Sequence, residues 1–90
     1  MPDTLRITFE RNTYELTYMA MLRSTAPDFF IFYNKEPELL KFAPAQFEIT
    51  YSGDQYPNWK FPPSFGDRFD NLRVSIILAL IDKYPERYMV

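Results

Sequence analysis

Residues 68–84 read RFDNLRVSIILALIDKY, and this stretch decides the fold. On a helical wheel, at about 100° per residue, Phe69, Leu72, Ile76, Leu80 and Tyr84 share one face, the spacing of a helix packed on a core. Val74, Ile77, Leu78 and Ile81 lie round the far side, and Ala79 flanks the near one. Only Asn71, Ser75 and Asp82 make a polar strip. A surface helix normally shows the opposite balance, so this one needs cover on a second side, from its own chain, a partner or lipid. Lipid is the weakest candidate, because residues 74–81 fall far short of the ~20 apolar residues that span a bilayer.

The ends of this helix are marked. Ser64 or Asp67 is placed to cap its start, and acidic Asp67 and Asp70 suit the positive end of the helix dipole. Lys83 sits in the last turn and Pro85 stops propagation. Arg73 falls within the apolar arc. Either its stem lies over apolar neighbours while the guanidinium reaches water or Asp70, or it anchors a ligand or an interface.

Upstream, the periodicity changes from helical to alternating. Leu5, Ile7 and Phe9 alternate with Arg6, Thr8 and Glu10, and Leu16, Tyr18, Ala20 and Leu22 continue the pattern, so two strands are expected. Facing Phe9 with Leu16 and Ile7 with Tyr18 needs an even number of turn residues. A two-residue loop around Asn12-Thr13 would put β-branched Thr13 at positive φ, which favours a four-residue loop at 11–14. Residues 29–34, FFIFYN, form a third strand of aromatic and β-branched residues. Pairing Leu22 with Phe29 puts Ala20 beside Ile31 and Tyr18 beside Tyr33 on the helix side. The opposite face then carries Met19, Met21, Phe30 and Phe32, so strands two and three are apolar on both faces, unlike a one-sided antiparallel sheet.

One helical turn is expected at 38–41, then a fourth strand at 46–52 with Phe47, Ile49 and Tyr51 inward. Residues 53–66 hold Pro57, Pro62 and Pro63 with Tyr56, Trp59, Phe61 and Phe65, which reads as a self-packed lid over the sheet or helix. Residues 86–90 read as a frayed tail, although Tyr88, Met89 and Val90 could add contacts. The fold class expected is α+β: a four-stranded antiparallel meander sheet with one C-terminal helix on one face (β-β-β-β-α), a single domain over 1–90.

Composition removes several functions. The chain is 47% hydrophobic and 19% aromatic, which suits a packed core and argues against disorder. Its net charge is −2, and its ten cations are scattered singly, so phosphate-driven nucleic-acid binding is not expected, even with sheet aromatics available for stacking. With no cysteine and no histidine, the commonest metal ligands and the usual general base are missing, and no metal or cofactor is expected. The start, MPDTLRITFE, does not read as a secretory signal, and a cytoplasmic, non-membrane protein is expected. Asp54, Asp67 and Asp70 flank the aromatic loop, but they read as loop solubility and helix capping, and an enzyme is not expected.

Two surfaces remain as binding candidates. The first comprises Met19, Met21, Phe30 and Phe32 on the sheet with Val74, Leu78 and Ile81 on the helix, an apolar surplus fit for a protein partner or a symmetric homodimer. The second is the loop Tyr56, Trp59 and Phe61 with Arg73, whose composition suits a sugar ring or small ligand. The plainer reading of each is internal: the lid or the Leu39-Leu40 segment covers the sheet residues, and the loop aromatics seal the core.

Overall fold

Glu10 and Arg11 carry the chain through a two-residue turn with φ of 50° and 67°. Two consecutive left-handed residues are the signature of the hairpin turn whose twist matches its strands. Neither residue is glycine, so the conformation is strained. Asn12 Nδ2 donates to the Glu10 carbonyl at 3.2 Å, and Arg68 Nε donates to the Glu10 carboxylate at 3.1 Å, holding the turn from both sides. The turn joins β1 (Asp3–Phe9) to β2 (Asn12–Met21), with Phe9 opposite Asn12 and Leu5 opposite Leu16. The expected four-residue loop at 11–14 is therefore corrected. The parity holds, but the turn sits two residues earlier, and Thr13 lies in the strand with no positive φ to bear.

The computed structural model describes residues 2–22, 27–52, 58–61 and 66–88. After β2 come β3 (Asp28–Tyr33), a one-turn helix α1 (Pro37–Leu40), β4 (Gln46–Ser52) and β5 (Asn58–Lys60). The long helix α2 (Asp67–Lys83) follows, then α3 (Pro85–Tyr88). All strand pairs are antiparallel, in the order β1-β2-β3-β4-β5, an open meander with β3 in the middle. The α+β class and C-terminal helix are as expected. The sheet has one strand more, because Asn58–Lys60 pairs with Thr50–Ser52 instead of belonging wholly to a loop.

Helix α2 lays Phe69, Leu72, Ile76 and Leu80 on the inner face of the sheet, all fully buried. They meet Leu5, Ile7 and Phe9 of β1, Leu16 and Tyr18 of β2, Phe30 and Phe32 of β3, and Phe47 and Ile49 of β4. Leu39 of α1 and Ala43 plug one end of this core. Gly66, the N-cap of α2, sits at φ 113°, a backbone conformation open to glycine alone in practice, and has no side chain of its own to cap the helix. The expected Ser64 cap lies outside the described residues.

A second correction concerns β2 and β3. Met21, not Leu22, faces Phe29, with Ala20 opposite Phe30, Met19 opposite Ile31 and Tyr18 opposite Phe32. A slip of one residue moves a strand's whole side-chain set to the other face. Phe30 and Phe32, expected on the outer face as contact candidates, are therefore core residues with 0% exposure, and Ile31 and Tyr33 turn outward.

The tail is the third correction. Residues 85–88 form α3, and Asp28, only 3% exposed, accepts hydrogen bonds from Arg87 Nε at 2.7 Å and the Tyr88 hydroxyl at 2.7 Å. The tail through Tyr88 is thus tied to the start of β3 rather than frayed. Met89 and Val90 lie outside the described residues.

Candidate functional site

Strand alternation decides which side chains the outer face of the sheet presents. From β2 come Thr17, Met19 and Met21, and from β3 come Phe29, Ile31 and Tyr33, each facing its partner across the strand pair. The two methionines are 43% and 47% exposed, and the three β3 residues are half-buried. None of these five apolar or aromatic residues belongs to the core cluster. The Tyr33 hydroxyl approaches Met19 Sδ at 3.9 Å, closing the strip along one end. The flanks are polar: Thr4, Arg6 and Thr8 on β1, with Gln46, Glu48 and Thr50 on β4. Arg6 and Glu15 neutralise each other at 3.1 Å. The result is an apolar band on the two strands left of and at the sheet's centre, bordered on both sides by hydrogen-bonding residues.

Of the expected sheet residues, Met19 and Met21 are therefore brought together on one surface, while Phe30 and Phe32 are not. Phe29, Ile31 and Tyr33 complete the surface, and reading the sequence missed them. The available signal was chemical: Tyr33 carries a hydroxyl suited to a wet face, whereas Phe30 and Phe32 have no polar atom and gain most from full burial.

The outer side of α2 forms a separate stripe. Val74 and Leu78 are 55% and 62% exposed, one turn apart, and Ile81 is half-buried behind them. The stripe is narrow, and the sheet lies between it and the band.

The edge of β1 is partly closed. Because Phe9 and Asn12 flank the two-residue turn, Thr4, Arg6 and Thr8 direct their backbone groups away from β2. At Thr4 both are occupied: its N–H donates to Asp3 Oδ1 at 2.8 Å, and its carbonyl accepts from Lys83 Nζ at 2.9 Å. Lys83 also pairs with Asp3 at 2.8 Å, which holds the Asp3 carboxyl below its usual range. Such charged plugs guard edges against pairing with another strand.

Within the alternative ligand loop the described aromatics, Trp59 and Phe61, pack on the protein's own residues. The Trp59 ring centre lies 4.6 Å from that of Tyr51 and 5.0 Å from that of Tyr88, both tilted against it, and it stacks with Phe30 at 6.5 Å. Arg73 pairs with Asp70, and its guanidinium carbon lies 4.6 Å from the centre of the Phe61 ring and 5.6 Å from that of Phe69, a cation held against aromatic rings of its own chain. Tyr56 lies outside the described residues. Beside this cluster the Tyr18 and Tyr84 hydroxyls meet at 2.7 Å. Burial, then the Tyr18 partner, pushes the Tyr84 phenol well above its ordinary value, and burial followed by Asp28 does the same to Tyr88. The Asp28 carboxylate in turn holds the Arg87 guanidinium more firmly protonated.

An open groove of about 740 Å³ runs between Leu22 and the α2–α3 corner, lined by Lys83, Tyr84, Pro85, Glu86 and Arg87. Its two cations are already engaged by Asp3 and Asp28. Among the described residues no cluster of three or more His, Cys, Asp or Glu side chains could hold a metal, and no helix is long and apolar enough to cross a membrane.

Fold and surface together define an open-faced α+β meander, one side sealed by a helix and the other apolar at its centre. No protein-family model matches the chain, and neither a curated protein nor a solved structure is detectably similar to it.

Proposed function

We propose that this protein is a non-enzymatic interaction module that docks a protein partner on the outer face of its sheet. The observation that carries this is the band of Met19, Met21, Phe29, Ile31 and Tyr33 lying outside the core on the central strands. Contiguous apolar surface of this kind marks association sites, and methionines beside rings make an adaptable contact. A chain without histidine or cysteine is poorly equipped for acid–base or thiolate chemistry, which favours binding over catalysis. A cytoplasmic setting is part of the proposal, since the fold relies on no disulfide and needs no oxidising compartment.

The test is binding of an environment-sensitive hydrophobic dye as the protein is diluted, for the wild type and for Met19→Glu with Ile31→Lys. The wild type should enhance dye emission on dilution, and the double variant should lose that enhancement while keeping its far-ultraviolet circular dichroism. A wild type that sediments as a monomer and matches the variant in dye emission would remove the reading.

A further inference from the structure

We infer that Met19 and Met21 form a peroxide-sensitive modification site, whose conversion to sulfoxides turns the centre of the outer face polar and switches its docking off. This rests on the outer face being the contact surface proposed above, and it adds a means of regulating that surface.

Both side chains lie on the same face of β2, two residues and about 7 Å apart, and they are 43% and 47% exposed. Across the strand pair they face Ile31 and Phe29, in the middle of the apolar band. The Tyr33 hydroxyl reaches Met19 Sδ at 3.9 Å, so a donor stands in range of the oxygen that this sulfur would gain. The core is composed differently. Among the described residues it is built from leucine, isoleucine, alanine and aromatic side chains, and it holds no methionine. Both thioethers of the described residues therefore stand on the outer face, and oxidising them alters that surface while sparing the packing beneath. The chain has no cysteine, so no thiolate competes for the oxidant.

The oxidant is hydrogen peroxide. A sulfur lone pair attacks one peroxide oxygen, the S–O bond forms as the O–O bond breaks, and the transferred oxygen passes its proton to the departing one, which leaves as water. The sulfur gives up an electron pair and the peroxide takes it. A thioether is apolar and polarisable, which suits it to an adaptable contact. A sulfoxide is polar and chiral, and its formation disrupts methionine-rich interfaces. Taking the new oxygen out of water against an apolar partner should weaken docking by about tenfold at each methionine. Enzymatic reduction restores the thioether, so the change is reversible.

The experiment compares the wild type with the double variant Met19→Leu, Met21→Leu, before and after hydrogen peroxide at a dose that fully oxidises free methionine. Peptide masses locate the added oxygens, the hydrophobic dye reports the outer face, and far-ultraviolet circular dichroism reports the fold. Before treatment both chains should enhance dye emission alike. Afterwards the wild type should carry one added oxygen on each of Met19 and Met21, keep its circular dichroism and bind the dye roughly tenfold more weakly. Sulfoxide reductases specific for the two epimers, applied together, should restore it. The leucine variant should keep its enhancement throughout, which separates these sulfurs from oxidation at Met1, Met89 or Trp59. A wild type that resists oxidation at both positions, unfolds when oxidised, or is oxidised at both and still binds the dye would overturn the inference and leave the interaction module standing. An equal loss in the leucine variant would overturn it as well. No enhancement in the untreated wild type removes the interaction module, and the switch with it.

Discussion

Phe29 and Phe30 are neighbours in sequence on opposite faces of β3, so truncating each in turn weighs the two faces directly. Phe30 is fully buried, with ring centres of Tyr18, Phe32, Trp59 and Tyr84 at 6.2, 6.4, 6.5 and 6.4 Å. Phe30→Ala removes a buried ring and leaves a cavity, a loss of about 3–5 kcal/mol. Four aromatic neighbours, each contributing ~0.5–1.5 kcal/mol beyond area, put it toward the upper end. Phe29 is half-buried on the outer face, where full burial of such a side chain would be worth about 1.5–3 kcal/mol, so Phe29→Ala should lose about 1 kcal/mol. With a urea slope of ~2 kcal/mol per molar, the midpoints should fall by roughly 2 M and 0.5 M. Urea unfolding followed by circular dichroism at two protein concentrations separates fold stability from association, which makes a midpoint concentration-dependent. Phe30→Leu supplies a graded value if the alanine variant does not fold. Equal losses at the two positions, or a larger one at Phe29, would mean that β3 is turned over and the band on the outer face is not there.

Two further outcomes follow from the α2–α3 corner. Because folding raises the Tyr84 and Tyr88 phenols above their ordinary value near 10, the unfolded chain releases these protons first. Their contribution is therefore complete below about pH 10 and is lost as pH climbs through the folded values. In an alkaline titration, part of the tyrosinate absorbance should appear only together with unfolding, and Tyr84→Phe with Tyr88→Phe should abolish that late step; no late step in the wild type would contradict the assignment. Arg87→Met removes the fork that holds the buried Asp28 carboxylate and should destabilise by roughly 2–4 kcal/mol with a red shift of Trp59 emission, whereas adding Asp28→Leu should recover part of the loss. Additive losses would show that the two side chains act independently.

Helix α2 was legible in full outline, because its inward residues keep helical spacing and no other periodicity competes. The strand at Gln46–Ser52 was equally clear, since Glu48 and Thr50 leave one apolar parity. The β2–β3 pair was not. Both strands are apolar at both parities, so alternation cannot choose a face, and the connection at 22–27 carries no turn signal strong enough to fix the register. The hairpin turn was hidden differently: Glu10-Arg11 contains no glycine or asparagine, and its left-handed backbone is supported by Arg68, which lies 58 residues away. Asp28 could not be singled out either, because an acid becomes a buried anchor only when the distant Arg87 and Tyr88 reach it. The apolar surplus was thus readable as a quantity, while its address depended on long-range pairing.

That surplus has a geometric cause. A 17-residue helix is about 25 Å long and ~10 Å wide. A five-stranded sheet of this length is roughly 23 by 24 Å, so one helix covers less than half of one face. The inner face is completed at one end by Leu39, Phe42 and Ala43 and at the other by Trp59 and Tyr88. Every described helix and most of the described aromatic residues are thereby committed to a single side of the sheet. The other side still carries Met19, Ile31 and Tyr33 on its central strands. Polar residues at those positions would have made the one-sided fold self-sufficient, as the threonines and charges of β1 already do at its edge. Apolar residues there are stable against water only at a cost that a second layer removes, and the described residues have no second layer left to give.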